Sequence, residues 1–183
     1  MASCSLLTAG RGAGACKIIA GVERVYLANS DLIESVGVTG ADEMEEINAI
    51  GMTGGTFYTF YQIQETSSFT STPTANVQNG SLFYETILTL VFTDYNASLR
   101  YTIKTLAENN LVAIVEMKSG EMVFIGESGG IDISGGDGGS GTASGDRNGA
   151  SLTFRGVEKD PPMTLSAEYI ASPEFEAIIA PNV

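Results

Sequence analysis

Four carboxylates lie within five residues of one another and are the side chains best placed for acid and base chemistry. A pair of carboxylates can act as general acid and base in glycoside hydrolysis, and nearby aromatic rings can stack on a sugar. The carboxylates are Asp42, Glu43, Glu45 and Glu46, and the aromatic residues are Tyr58, Phe60 and Tyr61. Acidic residues at strand ends are usually only solvated, and this spacing sets no distance between two carboxyl groups. We therefore expect no catalytic residues and no enzymatic activity.

The glycine-rich segment 135–142 superficially resembles a phosphate-binding loop, but no lysine precedes Thr142 and no helix pattern follows it. Asp132, Asp137 and Asp146 suggest calcium, yet the spacing of glycine–aspartate repeats or of an EF-hand is missing. Histidine, the commonest metal ligand, is absent from the chain. These observations favour a surface loop, with no metal site and no cofactor.

Both cysteines, Cys4 and Cys16, lie in a glycine- and alanine-rich N-terminal segment. Two cysteines are too few for a disulfide scaffold or a four-ligand zinc site. Three states stay open, namely free thiols, a bond between the two, and a bond between subunits. Free thiols are the default expectation.

A long stretch of the chain has only negatively charged side chains among its charged residues. No lysine or arginine occurs between Arg24 and Arg100, whereas nine carboxylates do, and the net charge is −13. Such a surface repels polyanions, so a basic clamp on nucleic acid is excluded. The negative charge is consistent with three roles, namely keeping the protein soluble, binding a basic partner, or allowing a negatively charged molecule to pass.

Period-two patterns and turn residues predict a β-rich chain. Asn79-Gly80 is a hairpin turn, and Thr53-Gly54-Gly55-Thr56 is predicted to join a second hairpin. A third turn is placed at Ser119-Gly120. The predicted strands are 22–29, 33–38, 45–52, 57–63, 67–77, 82–93, 111–118, 121–127, 150–157 and 163–170.

One amphipathic helix is predicted at about 95–109, from the spacing of Leu99, Ile103 and Leu106, with Thr93 or Asp94 as its cap. The predicted fold is mainly β, with two packed antiparallel sheets and this one flanking helix. Its parts are an N-terminal arm at 1–17, a sandwich at 18–170 with a glycine-rich loop at 129–149, and a C-terminal arm at 171–183.

The length of 183 residues suits a single domain. The chain has no apolar run of membrane-spanning length, and its first residues lack the pattern of a signal peptide. We therefore expect no membrane partner and synthesis in the cytoplasm.

Three stretches, together with the start Met1-Ala2-Ser3-Cys4, resemble virion proteins encoded by phages and prophages of Bacteroidetes. They are Ser68 to Phe92, Leu111 to Glu116 and Gly141 to Gly149. The resemblance runs from about Val22 to Pro162. The layout of sandwich, flanking helix, arms and long loop is also similar to that of the tail tube proteins of long-tailed bacteriophages.

This resemblance implies a structural subunit that stacks as rings, usually hexameric, into a hollow tube for genome delivery. The implied partners are further copies of the chain, other phage tail proteins, and double-stranded DNA that passes without specific binding. The implied location is the virion tail, assembled in the host cytoplasm. Candidate lumen-facing acidic residues are Asp42, Glu43, Glu45, Glu46, Glu65 and Glu85. Candidate assembly contacts are Cys4, Arg11, Cys16, Lys17, Tyr58, Tyr61, Asp146 and Arg147.

Two alternatives stay open. A head decoration or head–tail connector protein belongs to the same structural class. A β-sandwich module that binds glycans through Tyr58 and Tyr61 belongs to a different one.

Overall fold

A computed structural model describes residues 19–40, 45–63, 65–76, 78–143 and 146–180. The predicted N-terminal arm at 1–17 lies outside them. The described residues form ten strands, three α-helices and a short 3-10 turn at Ser30–Leu32. The strands are β1 (Val22–Asn29), β2 (Ile33–Thr39), β3 (Glu46–Met52), β4 (Tyr58–Tyr61), β5 (Ser68–Asn76), β6 (Ser81–Thr93), β7 (Leu111–Met117), β8 (Met122–Ile125), β9 (Asp132–Gly139) and β10 (Gly149–Glu158). The helices are α1 (Ala97–Glu108), α2 (Ala167–Ile170) and α3 (Pro173–Ile178).

The strands form three antiparallel sheets. Sheet I has the order β4-β1-β7-β8, sheet II has the order β5-β6-β10-β9, and β2 pairs with β3 in a two-stranded ribbon. Sheets I and II pack face to face. The predicted fold class, mainly β with two packed antiparallel sheets and a flanking helix, is confirmed.

The core between sheets I and II follows from the period-two pattern of their strands. Val25 and Leu27 of β1 are buried with Leu88 and Leu90 of β6 and Phe154 of β10. Successive residues of a strand point to opposite faces, so every second residue enters this core. α1 contributes to the same core through its buried Leu106.

Sheet I also buries its other face, which the sequence analysis did not foresee. Tyr26, Ile114 and Phe124 of sheet I form a second core with Ile47 of the ribbon and Phe175 of α3. Sheet I is therefore the middle of three layers. This double burial explains why β7 is apolar at almost every position, since neither of its faces is left to solvent.

The predicted hairpin between β3 and β4 is wrong. β3 pairs with β2, for example Ile50 with Val36, whereas β4 pairs with β1. Gly54 and Gly55 do take positive φ, as the turn required. The turn instead leads the chain from the ribbon to sheet I, because Phe57 is buried in the second core. A local turn signal identifies a reversal but not the partner of the strand that follows.

The glycine-rich loop predicted at 129–149 is partly a strand. Residues 132–139 form β9, which pairs with β10 at the edge of sheet II. Glycine has no side chain to pack, but its N–H and C=O groups support a ladder like those of any residue. The sequence pattern failed here because strand prediction depends on side chains.

The final predicted strand at 163–170 and the extended arm at 171–183 are also corrected. Thr164 and Leu165 make single bridges to β8 and β3, after which the chain turns into α2 and α3. Ser166 and Ser172 cap these two helices through their hydroxyl groups. Phe175 is buried, so this segment completes the second core, although residues 181–183 lie outside the described part.

The predicted helix is confirmed as α1, but its cap differs. Asn96 Oδ1 accepts a hydrogen bond of 2.8 Å from the Leu99 N–H. Asp94 instead takes a positive φ of 62° in the turn between β6 and the helix. Asparagine and aspartate are both good caps, so only the backbone path selects between them.

Candidate assembly surface

The described candidate lumen residues do not share one surface. Glu45 precedes β3 and Glu46 begins it, so both belong to the ribbon layer. Glu85 is on the outer face of sheet II, and sheet I separates the two layers. Glu65 lies in the exposed turn between β4 and β5. Two further candidates, Asp42 and Glu43, lie outside the described residues.

The negative charge of Glu85 is also neutralised by a neighbouring arginine. The Arg155 Nε–H of β10 donates a hydrogen bond to its carboxylate. A carboxylate in such a pair contributes little to a negative wall. The sequence could not reveal this pair because seventy residues separate its members.

Four of the candidate assembly contacts lie outside the described residues, namely Cys4, Arg11, Cys16 and Lys17. The two aromatic candidates, Tyr58 and Tyr61, lie on sheet I. The two charged candidates, Asp146 and Arg147, lie beside sheet II.

Tyr58 and Tyr61 are both exposed on β4, with 61% and 60% of their surface accessible. Tyr58 pairs with Leu27 of β1, on the face of sheet I that packs against sheet II. Tyr61 pairs with Arg24 of β1, on the opposite face, which packs against the ribbon layer. The two tyrosines therefore point to opposite faces of sheet I. Tyr58 lines a groove of about 470 Å³ that also includes Tyr101 of α1. Tyr58 and Tyr61 do not form one stacking surface for a sugar.

Asp146 and Arg147 lie in a turn beside sheet II. Asp146 Oδ2 accepts hydrogen bonds of 2.8 Å from the N–H groups of Ala143 and Thr142, and these bonds lower the pKa of the Asp146 carboxyl. Arg147 Nη2 lies 3.2 Å from Asp137 Oδ2 of β9. The turn therefore makes its own local contacts and is also joined to the edge strand.

The sequence analysis missed a buried ionic group in sheet I. Glu116 of β7 is 8% exposed, and its two oxygens accept hydrogen bonds of 2.7 Å from Arg24 Nη2 and from the Tyr26 hydroxyl. Burial raises the pKa of Tyr26, and the bond to Glu116 adds to this effect. A signal existed, since Glu116 interrupts an apolar run, but its partners depend on the register of β1 and β7.

A second missed carboxylate, Glu158, ends β10. It is 4% exposed and accepts a hydrogen bond of 2.6 Å from the Gly126 N–H. Burial raises the pKa of Glu158, and this hydrogen bond opposes the shift. The pKa of Glu127 is also raised, first by burial and then by Asp160 and Glu45. Negative charge is therefore concentrated at this end of the molecule.

The two sheets differ in how far their edge strands are hydrogen-bonded to other segments of the chain. The outer edge of β8 is paired with the chain after β10, through bonds of 2.9 Å from the Phe124 N–H to Met163 O and from the Leu165 N–H to Met122 O. On the other side of sheet I, only Phe57, the residue before β4, is bonded in this way, to Ile178 and Ala180. Sheet I thus has its β8 edge closed by its own chain, whereas no backbone hydrogen bond of this kind reaches β4 itself among the described residues.

The edges of sheet II are open. Within the described ranges, no backbone hydrogen bond joins the outer side of β5 or β9 to another segment. β5 is nine residues long and carries no charged side chain, and β9 has four glycines among its eight residues. A long edge without a pairing partner, such as β5, which is also uncharged, is a ready template for pairing with another strand.

Neither a cluster of metal ligands nor a membrane-spanning helix occurs in the part of the chain that the structure describes. No group of three histidine, cysteine or acidic side chains there could hold a metal ion. No helix among these residues has the length and apolar character needed to cross a membrane.

Comparison with known proteins identifies no relative, since no family model, no curated protein and no solved structure matches the chain. Its function must therefore be inferred from its own geometry and charge.

Proposed function

We propose that the chain is a structural virion protein, the major tail tube subunit, which stacks as rings into a hollow tube for genome delivery and has no catalytic role. The observation that carries the proposal is the pair of open edges on sheet II. Sheet I pairs its β8 edge within the chain, whereas neither edge of sheet II is paired among the described residues.

Exposed apolar side chains on the two central strands of sheet II also support assembly. Leu82 and Ile87 of β6 and Val157 of β10 are exposed, and Leu82 exceeds half of its full accessibility. Open edges and exposed apolar groups make an isolated subunit prone to uncontrolled association. A closed ring of subunits leaves no free edge.

The charge of the chain supports the passage of DNA. A net charge of −13 per subunit makes an assembled wall strongly negative. Electrostatic repulsion extends only about 8 Å at physiological salt, so DNA is kept from adhering to such a wall without being excluded from a wider channel.

Negative-stain electron microscopy of the purified protein at rising concentration tests the proposal. We expect hollow rings, and tubes of uniform width at the higher concentrations. A protein that stays monomeric throughout contradicts the proposal, unless addition of a preassembled tail-initiation complex starts polymerisation. Capsid-like lattices indicate the head decoration alternative, and specific signals on a glycan array indicate the sugar-binding one.

A further inference from the structure

We propose that Asn79 is a site of spontaneous covalent modification, where the side-chain amide is converted to a mixture of aspartate and isoaspartate. The site is the pair Asn79-Gly80 in the turn that joins β5 to β6. The reaction consumes only water. It is independent of the proposed function, since it concerns the covalent chemistry of a single subunit.

The chemistry follows from a glycine placed directly after an asparagine. The backbone nitrogen of Gly80 attacks Cγ of Asn79, and the new C–N bond closes a succinimide ring. The side-chain nitrogen leaves as ammonia and takes with it the proton lost from the Gly80 nitrogen. Water then adds to one of the two ring carbonyl groups and opens the ring. One opening gives aspartate, and the other gives isoaspartate, whose backbone runs through the former side-chain carbon.

The surroundings of Gly80 leave room for this attack. Gly80 has a positive φ of 63°, and a Cβ added there would meet nothing within 4 Å. Because glycine has no side chain, the amide of Asn79 can approach the Gly80 nitrogen without a steric clash. Both residues are exposed, so water reaches the ring as soon as it forms.

The turn is held by Asn76 and not by the side chain of Asn79. Asn76 Oδ1 accepts hydrogen bonds of 3.1 Å from the Gln78 N–H and of 3.2 Å from the Asn79 N–H. No described residue is hydrogen-bonded to the side-chain amide of Asn79. That amide is therefore available to react, and exposed turns open locally at little cost in free energy.

The chain contains a second such pair, Asn148-Gly149, which the fold protects. Gly149 is buried and is paired on both sides, with Thr93 of β6 and with Gly139 of β9. A Cβ added at Gly149 would clash with the carbonyl oxygen of Phe92, so the space around this residue is already filled. The two pairs are alike in sequence, and only strand pairing distinguishes them.

The modification changes both the charge and the backbone at this end of sheet II. Each conversion adds one carboxylate to a chain whose net charge is already −13. Isoaspartate also lengthens the backbone of the turn by one carbon. This disturbs the end of the β5–β6 ladder, where Asn76 pairs with Ser81.

Peptide mapping by mass spectrometry tests the proposal. The purified protein is kept in warm, mildly alkaline buffer, one sample folded and one in urea, and portions are digested over time. The peptides that contain Asn79 and Asn148 are followed in the same digest, so Asn148 is the internal control. Isoaspartate is detected by labelling with protein isoaspartate methyltransferase. Asn79→Gln is the matched variant, because glutamine closes its ring far more slowly, and circular dichroism checks that it is folded.

In the folded protein, conversion at Asn79 should be at least about tenfold faster than at Asn148, since a strand residue reacts only after local opening. In urea the two rates should become similar. Asn79→Gln should lose the isoaspartate signal. Equal rates in the folded protein, or no conversion at Asn79, overturn the proposal. Aspartate without isoaspartate overturns the ring mechanism, and an isoaspartate signal that persists in Asn79→Gln overturns the assignment to this residue.

Discussion

At the scale of single residues, the buried carboxylates of this protein are held in two different ways. Glu116 has both oxygens bound, by a guanidinium group and by a phenol. Glu158 accepts a hydrogen bond from the Gly126 backbone N–H and is buried near a second acid, Glu127. A buried charge is tolerated when it is paired and is costly when it is not. The two residues should therefore respond oppositely to loss of charge.

Replacement of Glu116 by alanine should destabilise the fold by about 3 kcal/mol, because it leaves the buried Tyr26 hydroxyl and the partly exposed Arg24 guanidinium without their acceptor. The matched control is Glu108→Ala, which removes an exposed pair with Lys104 at 3.6 Å and should cost no more than about 0.5 kcal/mol. Urea unfolding of the three proteins measures both values. Equal losses in the two variants would contradict the structural role given to Glu116.

The burial of Glu158 predicts that the stability of the fold depends on pH. Its pKa is raised in the folded chain, so the folded state binds this proton more tightly than the unfolded state. The free energy of unfolding should therefore decrease as pH rises from the ordinary glutamate pKa through the raised value, and then level off. Glu158→Gln should remove this part of the decrease, because glutamine stays neutral.

The measurement is urea unfolding of the wild type and Glu158→Gln between about pH 4 and pH 8. Glu121→Gln, at an exposed position, is the control and should follow the wild type. Parallel curves for wild type and Glu158→Gln would show that burial of this carboxylate has no net effect on stability.

At the scale of elements, β9 shows that a strand can form almost without side chains. Its position depends on its ladder with β10, and some of its glycines are required by close packing while others are not. A Cβ added at Gly136 would lie 2.6 Å from Ser151 O and 2.9 Å from Leu152 Cδ2. A Cβ added at Gly135 meets nothing within 4 Å.

Gly136→Ala should therefore destabilise the protein by about 1–3 kcal/mol through overpacking. Gly135→Ala is the matched control and should be neutral or slightly stabilising, because it restricts the unfolded chain without a clash. Thermal unfolding followed by circular dichroism compares the two variants. An equal loss at Gly135 would mean that β9 needs flexibility along its whole length rather than space at one residue.

At the scale of the whole molecule, assembly has to overcome charge. Each copy has a net charge of −13, so two copies repel each other as they approach. Added salt shortens the range of repulsion, from about 14 Å at 50 mM to about 4 Å at 500 mM.

Raising sodium chloride over this range should lower the protein concentration at which rings form. Sedimentation velocity at several protein concentrations measures this threshold. A threshold that rises with salt would indicate a contact dominated by opposite charges, and it would contradict an assembly limited by repulsion between negatively charged copies.

The sequence alone determined those features that depend on local chemistry. Alternating or continuous apolar runs predicted β1, β6, β7 and β10, turn residues predicted two hairpins, and apolar spacing predicted α1. Composition also determined the net charge of −13. These features follow from residue type and from neighbours close in the chain, so a single sequence contains them.

Tertiary structure decided everything that depends on which elements meet. The pairing of β3 with β2, the third layer built by α2 and α3, and the strand formed by the glycines are not visible in local patterns. The bond between Arg155 and Glu85 joins residues distant in the chain, as do those of Glu116 with Arg24 and Tyr26. The open edges of sheet II depend on strand order, which is set by the burial of the whole chain and not by any one segment.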